Sequence, residues 1–149
     1  MLLKFGPTLI SDNITLDTLQ ARQPLTIKLP SSPSSPGLTT LIFYDTSAPY
    51  PENNFNSPYL HYLLVNIPNS DVKRGQDIVK YKPPHPPANS LPHVYVVGWY
   101  EQKEEIEMEK EEDEEERVKF GLQDFIDENG LELKDEKVFR VSPLVKNNF

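Results

Sequence analysis

Three apolar runs carry the middle of the chain. Residues 38–44 (LTTLIFY) are rich in β-branched and aromatic side chains and predict a strand. Residues 60–67 are apolar almost throughout, which predicts a strand buried on both faces, with His61 pointing the same way as Leu63 and Val65. Residues 94–100 alternate, and a period of two sets His93, Tyr95, Val97 and Trp99 on one face.

Weaker signals flank this centre. Leu3 pairs with Phe5, and Leu25, Ile27 and Leu29 alternate with Thr26 and Lys28 until Pro30 stops them. Residues 31–37 (SSPSSPG) read as a loop. Further on, Val118, Leu122, Phe125 and Ile126 fall on one helical stripe, and Asn129-Gly130 supplies its stop. Residues 131–133 and 138–141 then read as two short terminal strands. The pattern predicts a single mostly β domain over residues 1–149, a β-sandwich or other sheet-rich domain with one or two peripheral helices.

Composition changes this picture in two places. Fifteen prolines cluster between the apolar runs, where a missing N–H and a fixed φ exclude central strands, so these stretches read as ordered loops. The net charge of −8 is also local. Residues 101–117 hold eleven acidic and three basic side chains, and elsewhere twelve of each sign cancel. The low-complexity run at 103–116 is therefore an acidic insertion, expected as a solvated loop or a frayed extension favouring the N-terminus of the helix that follows. Without a basic face, nucleic acid is not an expected partner. Cysteine is absent, so neither disulfides nor cysteine metal sites arise. The first residues lack a signal-peptide pattern and no stretch approaches the length of a transmembrane span, so a cytoplasmic address is the expectation.

All three histidines, His61, His85 and His93, lie between Asp45 and Gln102. From the residues alone, three readings stay open. Asp45, Ser47, His61 and His93 supply the residue types of a hydrolase relay, though no G-x-S-x-G turn presents the serine. Three histidines and Asp45 supply metal-ligand types without an H-x-H or H-x-x-x-H pair. The plainest reading makes His61 and His93 core histidines at strand ends.

Two longer patterns bear on the choice. Asp45-Thr46-Ser47-Ala48-Pro49-Tyr50, followed by the stretch YLHYLLVNI at 59–67, resembles a signature of the form DPDAPS followed by W-x-H-W/F-L-V-x-N-I. Gly75 through Tyr81, Pro86-Pro87, His93-Val94-Tyr95-Val96 and Glu101-Gln102 resemble a second signature, of the form G-x5-Y-x-G-x2-P-P-x-G-x-G-x-H-R-Y-V with a later E-Q. Both are signatures of the phosphatidylethanolamine-binding protein family, which includes the Raf kinase inhibitor proteins.

The resemblance implies a Greek-key β-sandwich, here lacking the C-terminal helix of the animal members. It implies a small cavity for phosphate, carboxylate or phospholipid head groups, lined by Asp45, Ala48, Pro49, His61, Pro87, His93 and Tyr95, with His85 added at the rim as a further donor or an obstruction. In this reading two imidazoles and a phenol donate to an anion, and binding weakens from about pH 6 to 8 as histidines titrate. The implied role is non-catalytic: a head-group-binding protein modulating a partner such as a kinase, with no cofactor or metal and with a homodimer within its range. The alternative is a ligand-free scaffold acting through its surface and acidic run. The family's second aspartate and its arginine after the second histidine are Ser47 and Val94 here, so a charged pair is replaced on both sides. Pro83, His85, Asn89 and Leu91 take glycine positions, predicting a stiffer rim.

Overall fold

The computed structural model describes residues 1–31 and 37–145. Most of the loop expected at 31–37 lies outside the described residues. The elements run β1 (Leu2–Phe5), β2 (Thr8–Leu9), β3 (Thr15–Asp17), α1 (Thr18–Ala21), β4 (Leu25–Lys28), β5 (Leu38–Asp45), β6 (Tyr59–Pro68), β7 (Gln76–Val79), β8 (His93–Glu101), α2 (Leu122–Glu128) and β9 (Glu132–Ser142). Single turns of 3-10 helix occupy Val72–Arg74 and Glu114–Arg117. No helix of the described residues is long and apolar enough to cross a membrane.

Two sheets face each other. The small one orders β2-β1-β4 and the large one β3-β9-β8-β5-β6-β7, antiparallel except where β3 meets β9. Between them lies the main core, where Leu3, Phe5 and Ile10 meet Leu41, Phe43, Tyr95, Val97, Trp99 and Phe139. Phe43 and Phe139 pack edge to face at 5.9 Å, the geometry that aromatic quadrupoles favour. A second cluster covers the outer face of the large sheet, with Ile42, Leu63, Val65 and Tyr100 under Ile106, Phe125 and Leu131. The central strands are thus buried on both faces, as their apolar runs predict. Tyr95, Val97 and Trp99 do share one face.

The acidic run departs from expectation. Glu101 completes β8, and Gln102 is buried. Beyond them the backbone lies along the outer edge of the large sheet, with Glu111 N–H donating to Ile78 O at 2.7 Å. Side chains alternate there: Ile106 and Met108 pack into the second core while Glu105, Glu107 and Glu109 face outward. Asn66 holds the segment in place. Its Oδ1 accepts from Ile106 N–H at 2.9 Å and its Nδ2 donates to Ile106 O at 2.7 Å, as a neighbouring strand would. Gln102 Nε2 donates to the same Oδ1 at 2.8 Å, and Asn66 N–H donates to Gln102 Oε1 at 2.8 Å. Asn66 sits at φ +56°, a conformation asparagine tolerates better than most residues. A run read as solvated is therefore a cover for the edge strand β7, whose ladder would otherwise lie open.

Two other expectations change. The helix starts at Leu122, so Val118 lies outside it in extended backbone, and its one first-turn acid is Asp124 rather than the acidic run. Gly130, at φ +56°, does end it, with Leu131 N–H returning to Ile126 O at 3.0 Å. The two terminal strands are one, because polar Asp135 to Lys137 still pair with Val97 to Trp99 of β8. A ladder follows backbone groups, whatever the side chains between the apolar patches.

Asn66→Gly deletes the clamp while leaving the positive φ accessible. It is expected to destabilise the fold by about 2 kcal/mol and to open residues 103–113 to limited proteolysis. Urea unfolding and a protease time course check this, and an unchanged cleavage pattern would refute the edge-cover assignment.

Candidate anion-binding site

The site forms where three central strands begin or end. Asp45 closes β5, paired with Tyr95 of β8 on one side and Tyr59 of β6 on the other, and His93 opens β8. His61 reaches the same point through a defect in the ladder. Phe43 pairs with Tyr62 but Tyr44 pairs with Leu60, so β6 carries one extra residue at His61. A bulge of this kind turns the strand and re-aims the side chain. Alternation alone sets His61 beside Leu63 and Val65. The bulge instead lays its ring against Phe43 at 5.5 Å and Tyr95 at 5.3 Å, on the opposite face.

All eight residues singled out from the sequence line one cavity of about 200 Å³: Asp45, Ala48, Pro49, His61, His85, Pro87, His93 and Tyr95. Asn56, Tyr59, Lys82 and Pro83 complete its wall. The volume lies below the roughly 300–1,000 Å³ usual for drug-sized ligands, so it suits a head group and not a chain. Asp45, His61, His93 and Tyr95 are buried, whereas His85 stands exposed on the rim. The Ala48–Pro49 peptide bond at the wall is cis.

Hydrogen bonds fix how the two inner histidines present themselves. His93 Nδ1–H donates to Asp45 Oδ2 at 2.7 Å, and Asp45 Oδ1 accepts from Ser47 N–H at 2.7 Å. The carboxylate therefore orients the ring and is itself held by backbone. His61 Nδ1 lies 2.6 Å from Lys82 O. A carbonyl can only accept, so this nitrogen carries the proton and Nε2 is an acceptor whenever the ring is neutral. Burial pushes His61 down to about 4, outweighing the opposing hydrogen bond to Lys82 O and the nearby Asp45. His61 thus meets a ligand as a neutral acceptor at pH 6–8, and not as the titrating donor that an ordinary histidine would be. Burial, then the adjacent Asp45 carboxylate, push the Tyr95 hydroxyl far up, so it stays a phenol.

The other readings of these residues fare differently. Ser47 Oγ accepts from Val94 N–H at 3.0 Å, a cross-link standing where the family's charged pair would be. The serine that His93 meets is Ser90, whose Oγ lies 3.1 Å from Nε2 and also donates to Leu91 O. Ser90 is not among the residues lining the cavity. Among the described residues, no group of three His, Cys, Asp or Glu side chains is placed to hold a metal ion.

Sequence reasoning missed Arg117. Its buried guanidinium donates to Leu60 O at 3.0 Å, His61 O at 3.2 Å and Lys80 O at 2.9 Å. These carbonyls flank the bulge, where regular strand pairing is interrupted. Arg117 Nε also pairs with Glu114 Oε2 at 3.2 Å, and the other Glu114 oxygen accepts from Lys82 Nζ and Tyr59 Oη. The available signal was an arginine ending an acidic run just before an apolar stripe, which reads equally well as surface charge. Lys82 and Tyr59 escaped because a lysine between a tyrosine and two prolines shows no periodicity.

A family-wide sequence profile described as phosphatidylethanolamine-binding protein matches residues 8–138. The chain belongs to that family. Its fold matches a carboxypeptidase Y inhibitor solved in complex with its cognate proteinase, at TM-score 0.79 and 20% identity over 96% of this chain and 82% of that one. It also matches the phosphatidylethanolamine-binding protein of Plasmodium vivax, at TM-score 0.71 and 12% identity over 96% and 84%. Among curated relatives, the MOTHER of FT and TFL1 homolog 2 of Oryza sativa subsp. japonica is 40% identical over 67 residues, covering 44% of this chain and 37% of that protein. A putative odorant-binding protein A5 of Drosophila melanogaster is 32% identical over 71 residues, covering 48% and 34%. The matched stretches span about a third of the length of these curated relatives.

Two predictions follow the buried groups. A His61 pKa near 4 when folded, against about 6.5 unfolded, means the unfolded chain binds the extra proton first as pH falls. Stability contributed by neutral His61 is present above about pH 6.5 and lost toward pH 4, on the order of 3 kcal/mol. Thermal unfolding at pH 7 and 4.5 should show this loss in the native chain and a smaller one in His61→Gln. Equal losses would deny His61 the effect. Arg117→Met takes the guanidinium from Leu60 O and Lys80 O and leaves His61 O with the Lys82 N–H alone. It is expected to cost about 3 kcal/mol in urea unfolding, with Arg117→Lys recovering only part.

Proposed function

We propose that this chain is a non-catalytic binding module whose cavity takes a phosphate-bearing ligand, such as a phospholipid head group, and whose rim modulates a partner protein. The observation that carries the reading is the placement of His93, held by Asp45, opposite His61 and Tyr95 in a head-group-sized cavity. Tyr95 keeps its phenolic proton, which rests on Asp45 and can be turned to an anion that competes for it. His61 Nε2 accepts, which suits a hydrogen phosphate that brings its own proton, or an anion whose charge draws one onto the ring. Asp45 serves through His93, and its carboxylate also meets the Ser47 N–H and the Tyr95 hydroxyl.

The structure of the carboxypeptidase Y inhibitor contains its cognate proteinase, which supports regulation of a partner as the class of role. For this chain we extend that to a signalling partner such as a kinase, met in the cytoplasm. A homodimer that closes the exposed rim around His85 is consistent with the same reading.

Proton linkage is the test. Calorimetric titration with inorganic phosphate and with phosphorylethanolamine should show saturable binding at pH 6 that weakens toward pH 8, by up to about tenfold per unit for one proton taken up. Heats measured in buffers of different ionisation enthalpy should reveal that uptake. A His61→Ala, His93→Ala double variant should lose it. Absence of binding at pH 6, or binding indifferent to both histidines, would overturn the reading.

A further inference from the structure

Electroneutrality poses a problem for the pocket. His61 is neutral, and Asp45 brings a negative charge to the wall. Of the residues lining the cavity, Lys82 is the one with a permanent positive charge. Its ammonium, however, is turned to the pocket's shoulder, where it donates to Tyr59 Oη at 2.8 Å and to Glu114 Oε1. Glu114 comes from the acidic run, on the 3-10 turn that Arg117 anchors beneath the bulge.

Resting on the reading of the cavity as an anion site, we propose that Lys82 is the charge-bearing contact for the ligand and that Glu114 is its built-in competitor. The site thereby favours a dianionic phosphate over a singly charged carboxylate. Lys82 has the reach, since it lines the cavity and contacts Glu114 from the same position. Its bond to Glu114 is also replaceable. The two side chains are 44% and 61% exposed, and exposed ion pairs are weakly held.

Glu114 is not stranded when Lys82 leaves, because Tyr59 Oη and Arg117 Nε remain on its oxygens. The exchange therefore leaves no isolated charge behind. It does set a threshold. A carboxylate ligand offers Lys82 no more charge than Glu114 already does, whereas a phosphate dianion offers twice as much. The hydrogen bonds from Lys82, then from Tyr59, hold the Glu114 carboxyl down to about 2, so the competitor stays charged at any pH where the site works. The acidic insertion thus acquires a definite part in setting how tightly the ligand is held, through a single one of its glutamates.

The test is calorimetric titration at pH 7.5 and fixed ionic strength, with inorganic phosphate and separately with acetate. It uses the native chain, Glu114→Gln, Glu116→Gln, Lys82→Met and the Glu114→Gln, Lys82→Met double variant. Glu116 is exposed on the same turn and removes the same charge without touching Lys82. Glu114→Gln should tighten phosphate about fivefold, the scale of an exposed pair, and tighten acetate by less, because acetate draws less on Lys82. Glu116→Gln should stay close to the native chain. Lys82→Met should weaken phosphate, and in that background Glu114→Gln should gain nothing.

A gain no larger than that of Glu116→Gln, a gain that survives in Lys82→Met, or a larger gain for acetate than for phosphate would each overturn the proposal while leaving the pocket reading intact. If no variant binds phosphate at all, the pocket reading fails and this proposal falls with it. Thermal unfolding of each variant keeps folding defects apart from binding defects.

Discussion

A buried guanidinium holds the site together. The bulge that aims His61 into the cavity interrupts the pairing of β6, and a distorted ladder leaves carbonyl groups that must find donors. Arg117 takes Leu60 O, His61 O and Lys80 O at once. A planar fork with five N–H groups can do this, whereas an ammonium on a flexible stem cannot hold the same three directions. Remove the fork, and the bulge loses the partner that makes its geometry affordable. The catalogue of cavity residues depends on a side chain that does not line the cavity.

The same economy appears at the other wall. Asp45 is buried, yet its oxygens accept from His93 and from the Ser47 backbone, so its charge is met by oriented donors. The position that carries an acid in the family signature is a serine here, and it binds Val94 N–H. Val94 carries no charge to be left without a partner. One neutral bond between the 46–58 loop and β8 replaces an ionic one, and nothing charged is stranded. The wall keeps its connection and gives up long-range electrostatics.

Much of this was legible in the sequence, for reasons that differ by element. The central strands were readable because β-branched and aromatic runs declare themselves locally. The cavity residues were readable because two spaced signatures put Asp45, His61, His93 and Tyr95 in fixed relation. The facing of His61 was not, since one inserted residue reverses the side that alternation assigns. The acidic run was misread because what fixes it lies 40 residues earlier in the chain, in the amide of Asn66. Composition reports what a segment is made of and is silent on which distant amide will hold it. Lys82 and Glu114 belong to the same class, a contact between residues 32 positions apart that no local pattern announces.

The Asn66 clamp also separates two kinds of position within one segment. At Ile106 and Met108 the run is tied to the core, and at Arg117 to the bulge. Between those ties the outward side chains of Glu107, Glu109 and Glu112 stand in solvent. Reversing their sign leaves the core contacts of the sandwich untouched, while a charge at the inward positions would have to be buried. The segment is a strip of adjustable surface charge, bolted at both ends to the sandwich beneath it.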